Sequence, residues 1–253
     1  FRPTEDRCCV ALDAYNINLA YEIGRQNAHR QASESVVTSN VKFDADGRIL
    51  ILTGPNSGGK TVYARTVGLV HVMAQTGMYV PAEKAEISPV DGVFTHFAVE
   101  EQISSQTGRL GDETKRLAEI VEHVTDHSLV ILNESLSSTS HTESVLIAED
   151  FLQAMSMLGA RVIYTTHLHD LAARAEETSR MTPGKSSMKS LVALAEKVES
   201  EDAVAEVHRL YKIVPGLPQG RSYALEIARQ HGMSLEQIVD TLKSRGVIDG
   251  DSQ

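Results

Sequence analysis

The chain has 253 residues, 42% hydrophobic and 23% charged, enough length and apolar content for a large globular core. A formal net charge of −10 excludes nucleic-acid binding through bulk positive charge, and no apolar run reaches the ~20 residues that span a bilayer. Cys8 and Cys9 are adjacent, which suits neither a mutual disulfide nor a zinc site of their own, and points to reduced thiols in a cytoplasmic protein.

The chain opens on Phe1 and polar residues, as an excised piece of a longer protein would. Residues 1–45 read as a mixed lead-in, with strand character at 36–37 and 41–43 and a turn at 44–47. A buried strand is predicted at 49–53 and a helix at 62–74, then a strand at 93–97 and an amphipathic helix over 114–124. Leu117, Ile120, Val121 and Val124 share one face of that helix. A second buried strand follows at 128–132, a helix at 145–158 stopped by Gly159, and a third strand at 161–166 running into His167. Residues 176–187 are polar, contain Pro183-Gly184 and read as a mobile loop. Two antiparallel strands, 190–198 and 207–214, flank the acidic turn 199–202, and helices at 222–231 and 234–245 close the chain. Alternating strands and helices imply an α/β fold with a largely parallel sheet. The expected division is a core over 1–175, the loop 176–187, and a C-terminal hairpin with helices over 188–253.

The chemistry concentrates after the 49–53 strand. Gly54, Pro55, Asn56, Ser57, Gly58, Gly59, Lys60 and Thr61 fit G-x-x-x-x-G-K-[ST] at every fixed position, between a strand and a helix. Glycines let backbone N–H groups turn around phosphates, and the helix start adds its positive dipole end. Lys60 would then reach the β- and γ-phosphates of ATP and Thr61 would sit on Mg²⁺. At the end of the second buried strand, Asn133 and Glu134 stand where a Walker B element has two acids. The first of these serves the metal and the second the attacking water. That places Thr61, Asn133 and Glu134 as metal-side candidates. Glu134 and His167 are the catalytic candidates, since His167 emerges at the carboxyl end of a strand, where open α/β sheets bind ligands.

Six stretches sharpen this into a family resemblance. Residues 53–61, 77–87, 90–95 and 166–171, with 211–216 and 220–224, resemble the ATPase domain and dimerisation tail of MutS-type DNA mismatch-repair proteins over nearly the whole chain. The resemblance implies an ABC-type P-loop NTPase with a mostly parallel sheet flanked by helices, plus a C-terminal hairpin and helical tail. It implies a head-to-head homodimer around two nucleotides, with DNA engaged through regions outside this segment and no membrane. The best signature candidate is 108–113, which puts Arg109, Leu110 and Gly111 against the partner's γ-phosphate. Val36 and Val37 fall where the family faces the adenine. The chain departs from the pattern in four places. Leu110-Gly111 replaces a Ser-Thr pair, Asn133 replaces an acid, 135–140 replaces a Gly-Arg-Gly-Thr-type loop, and Val36 replaces an aromatic ring. The leading expectation is therefore a divergent MutS-like ATPase. The alternatives are a nucleotide-dependent dimerisation switch with little hydrolysis, and another ABC-type ATPase that does not act on DNA.

Overall fold

The computed structural model describes residues 2–3, 7–26, 36–45, 47–97, 108–181, 184–198, 206–218, 228, 231–245 and 247. In chain order these give β1 (Arg2–Pro3), β2 (Cys9–Ala14), α1 (Ile17–Gln26), β3 (Ser39–Phe43), β4 (Ile49–Thr53), α2 (Lys60–Gln75), β5 (Lys84–Ile87) and β6 (Val93–Phe97). There follow α3 (Gly108–His123), β7 (Leu129–Asn133), α4 (His141–Leu158), β8 (Arg161–Thr165), α5 (His169–Ala173), α6 (Ala175–Met181), β9 (Met188–Val198), β10 (Glu206–Pro215) and α7 (Leu235–Ser244).

The fold is α/β, with a mixed but mostly parallel main sheet in the order β10-β9-β4-β8-β7-β6. All its pairings are parallel except β10 with β9. A smaller sheet, β1-β5-β2-β3, packs beside it. β4, β7 and β8 are buried at every position, as strands covered on both faces must be. Their alternate residues feed two cores. Leu50, Leu52, Ile131 and Ile163 meet Tyr63, Val67 and Val70 of α2 on one face, together with the smaller sheet. Ile49, Ile51, Val130, Leu132, Val162 and Tyr164 meet Leu117 and Ile120 of α3 and Val145, Leu152 and Met155 of α4 on the other. The two-residue period of the strands thus decides which helix each side chain touches.

Beneath this site-bearing layer, Arg161 is 1% exposed and donates to the Ser88 carbonyl and hydroxyl and to the carbonyls of Pro89 and His127. The guanidinium staples two loops, at 88–89 and 127, to the start of β8 with no carboxylate among these partners; burial lowers its pKa.

Several predicted boundaries move. The lead-in holds β1, β2, α1 and β3, and β3 begins at Ser39, so Val36 and Val37 precede that strand. Residues 176–181 belong to α6, not to a loop, and Thr178 is pinned to Glu149 of α4 at 2.8 Å. α3 starts at Gly108, six residues before the predicted start, which turns the expected signature loop into the first turns of a helix. α4 starts at His141, because the Ser140 side chain caps it by accepting from the Glu143 amide, and it ends on Gly159 at φ 90° as expected. β9 extends the main sheet by pairing with β4, so the C-terminal strand pair is continuous with the core. The turn 199–202 and most of the predicted helix 222–231 lie outside the described residues. Among the described residues no helix is long and apolar enough to cross a membrane.

Candidate functional site

The carboxyl ends of β4, β7 and β8 lie side by side, and each launches one part of the site. β4 runs into the loop 54–59. Gly54 has φ 144°, and a Cβ built on it would lie 2.7 Å from the Ala193 Cβ, so only glycine passes β9 there. Gly59, at φ 92°, precedes α2, and no side chain caps the helix there. The first amides of α2 are thereby left for an external acceptor, and their dipole end faces the loop. Lys60, 4% exposed, donates from Nζ to the carbonyls of Gly54 and Pro55, both at 3.0 Å. Burial lowers its pKa, against the opposing pull of nearby Glu134. The Thr53 hydroxyl, at the base of the loop, is buried and has no partner.

β7 ends in Asn133 and Glu134. Asn133 is 7% exposed, and its Oδ1 accepts from the Thr165 hydroxyl at 2.8 Å. Glu134 takes φ 54°, with its amide donating to the Thr165 carbonyl at 2.8 Å. Its Oε1 lies 3.0 Å from Nε2 of His167, which follows β8. Burial is the main force lowering the His167 pKa, aided by Lys60 and opposed by Glu134. A neutral imidazole therefore donates Nε2–H to the carboxylate near pH 7.

A cavity of about 470 Å³ joins these parts. Of the predicted phosphate-loop residues, Ser57, Gly58, Gly59, Lys60 and Thr61 line it, as do Glu134, Val36 and Val37. Gly54, Pro55 and Asn56 complete the loop without lining it. His167 reaches the cavity only through Glu134, and Asn133 is turned toward Thr165. Arg109, Leu110 and Gly111 lie in the first turns of α3 and are not part of this chain's own cavity wall; Arg109 bonds Glu113 and Ser137 instead.

Sequence reasoning missed several of the lining residues. Leu19 and Ile23 of α1, with Tyr15, Asn16, Tyr211 and Ile213, also line the cavity. Asn16 caps α1 by accepting from the Leu19 amide at 3.1 Å and also donates to the Val62 carbonyl. That Asn before an amphipathic segment was a readable signal. Tyr211 was not. It takes φ 54° where the β9–β10 register breaks between Arg209 and Ile213, and a methyl on Gly59 would lie 3.7 Å from its ring.

Among the described residues, no group of three His, Cys, Asp or Glu side chains is placed to hold a metal ion. Thr61 and Glu134 face the cavity and suit a hard cation, which would draw its other oxygens from bound phosphates and water.

Comparison with known proteins bears on the whole of this arrangement. The family model described as MutS domain V matches residues 50–245. The chain is 35% identical over 204 residues to the DNA mismatch repair protein MutS of Chlorobium phaeobacteroides, covering 80% of this chain and 22% of that protein. It is 35% identical over 211 residues to the endonuclease MutS2 of Thermus thermophilus, covering 83% and 26%, and 32% identical over 212 residues to the endonuclease MutS2 of Caldanaerobacter subterraneus, covering 83% and 25%. The chain spans about a quarter of the length of these curated relatives.

Proposed function

The chain belongs to the MutS domain V family, and from that premise we propose that it is the ATP-binding and ATP-hydrolysing module of a MutS-like protein. The observation that carries this reading is the single cavity shared by Lys60, Thr61, Glu134 and the apolar wall of Leu19, Ile23, Val36 and Val37. Anion-accepting groups and apolar side chains lining one space fit a nucleotide's phosphates and base.

In this reading the amides of the loop and of the first turn of α2 receive the phosphates. Lys60 exchanges the Gly54 and Pro55 carbonyls for the β- and γ-phosphate oxygens. Glu134 accepts the proton of a water attacking the γ-phosphorus as the bond to the β-phosphate oxygen breaks and ADP departs. His167 holds the Glu134 carboxylate in place through Nε2–H. When bound, Mg²⁺ supplies charge neutralisation on the phosphates, and Thr61 and Glu134 are the residues that would hold it.

The first turns of α3, with Arg109, Leu110 and Gly111, face a second copy's γ-phosphate in a head-to-head homodimer. DNA is engaged by parts of the full-length protein beyond this segment. Calorimetric titration with ATP and Mg²⁺, paired with a phosphate-release assay, tests the proposal. Binding with turnover is expected, and no binding would overturn it.

One observation favours a second reading, a nucleotide-dependent dimerisation switch with little hydrolysis. Position 133 brings no negative charge, and its carbonyl oxygen is already engaged by Thr165. ATP binding and dimer formation without phosphate release would select that reading.

A further inference from the structure

Glu134 begins a loop, 134–140, built in an unfavourable backbone. Glu134 at φ 54° and Leu136 at φ 64° are both left-handed and neither is glycine, and Leu136 is 2% exposed. Each such residue costs on the order of 1 kcal/mol or more, so the surrounding structure must impose the shape. The imposing contacts come from four elements. Tyr164 of β8 donates to the Ser135 carbonyl at 2.8 Å, and His96 of β6 lies 2.6 Å from the Ser135 hydroxyl through Nδ1. Ser144 of α4 donates to the Leu136 carbonyl at 2.6 Å. The fourth contact comes from α3, where the Ser138 hydroxyl donates to Glu113 Oε2 at 2.9 Å.

Glu113 differs from the other three. It is a carboxylate only 7% exposed, held on its other oxygen by Arg109 Nε at 3.4 Å, and Arg109 also donates to Ser137 at 3.1 Å. The first turns of α3 and the loop that carries Glu134 are therefore tied by two side-chain bridges that share one buried acid. The other contacts come from the strands β6 and β8 and from Ser144 in the first turn of α4, whereas the α3 tie runs through a buried charge at a helix start. Burying a carboxylate for a purely structural contact is costly, because an apolar side chain would fill the same space without desolvating a charge.

We propose that Glu113 is a positioning residue, which through Ser138 sets the loop 134–140 and hence the aim of the Glu134 carboxylate at the cavity. The inference rests on the reading of Glu134 as the group that serves the attacking water. It adds a direct consequence: any shift of the first turns of α3, such as docking against a second copy, is delivered to Glu134 within the same chain.

Glu113→Ala, Glu113→Gln, Ser138→Ala and the double variant Glu113→Ala/Ser138→Ala separate the possibilities. Hydrogen exchange is followed by mass spectrometry, alongside ATP affinity and turnover. Glu113→Ala should speed exchange over 134–140 by about tenfold or more, with β4 and β7 protected as in the parent. Turnover should fall about tenfold, with ATP affinity within about twofold of the parent. Glu113→Gln, which keeps an acceptor for Ser138, should recover most of both losses, and the double variant should match Glu113→Ala alone. Three results would overturn the inference: unchanged exchange over 134–140, equally faster exchange in β4 and β7, or an ATP affinity that falls as far as turnover. If the parent binds ATP without turnover, hydrolysis fails as a reading while the exchange pattern still decides the role of Glu113.

Discussion

His167 and Glu134 meet at 3.0 Å across the ends of two neighbouring parallel strands, β8 and β7, although they are 33 residues apart in the chain. The pairing follows from register. Asn133 stands opposite Thr165, so the residues just beyond both strands emerge together over the phosphate loop. With the imidazole neutral, the pair is a donor holding a carboxylate, which leaves one carboxylate oxygen for a water.

Glu134→Gln should therefore keep ATP affinity within a few-fold while lowering turnover by roughly a hundredfold or more, the usual scale of a lost general base. Rapid-quench measurement of phosphate release beside equilibrium ATP binding checks this. Turnover at the parental rate would transfer the role to His167 or to another group.

Asn133→Asp should tighten Mg²⁺-dependent ATP binding by roughly tenfold to a hundredfold, the scale on which neighbouring groups tune a metal. Asn133 engages Thr165 through Oδ1, so the rest of its amide offers only N–H groups, which do not attract a cation. A carboxylate can keep the Thr165 hydrogen bond and present a second oxygen. Magnesium titrations of ATP affinity in both forms are the measurement, and equal midpoints would place position 133 outside the metal's surroundings.

Acid should destabilise the domain through His71. This side chain is fully buried in α2, donates from Nδ1 to the Val67 carbonyl at 2.8 Å, and has a pKa pushed down by burial from 6.5 to about 4. Below pH 6.5 the unfolded chain takes up a proton that the folded chain refuses, so stability falls as pH drops from 6.5 toward 4. By pH 4 the loss is roughly 3 kcal/mol. His96, His167 and His169 shift in the same direction. Urea unfolding at pH 7 and pH 4.5 should show a shallower pH dependence in His71→Leu than in the parent. Equal slopes would assign the acid sensitivity to other groups.

The legible parts of this molecule are those in which local pattern and tertiary role agree. The apolar runs ending at Thr53 and Asn133 are buried on both faces, so their composition alone marks them as central strands. Gly159 stops α4 by its own backbone freedom. The first turns of α3 were obscured because Gly108 and Gly111 read as a loop, yet Arg109 and Glu113, four residues apart, pair along one helix face. Residues 176–181 were polar enough to suggest a loop, while the burial of Ala175 and Thr178 against β9 and α4 is a long-range fact. Leu136 stands in a left-handed conformation that its side chain disfavours, so no local rule points to it. Tyr211 owes its place to a register break that composition does not encode. Arg161 read as the edge of a strand, since its four acceptors come from segments 34 to 73 residues away.

The central claim is that the loop 54–61 and the cavity above it bind the phosphates of ATP, and Lys60→Ala tests it most directly. Its Nζ now rests on two carbonyls that a triphosphate would replace. Loss of a charged donor to phosphate costs about 1.5–3 kcal/mol per bond. Removing a buried ammonium relieves a desolvation cost, so the fold should not suffer. Calorimetric titration with ATP, beside thermal unfolding of the nucleotide-free proteins, should show affinity weaker by roughly a hundredfold and an unfolding temperature equal to or above that of the parent. Unchanged ATP affinity in a folded Lys60→Ala protein would contradict the account.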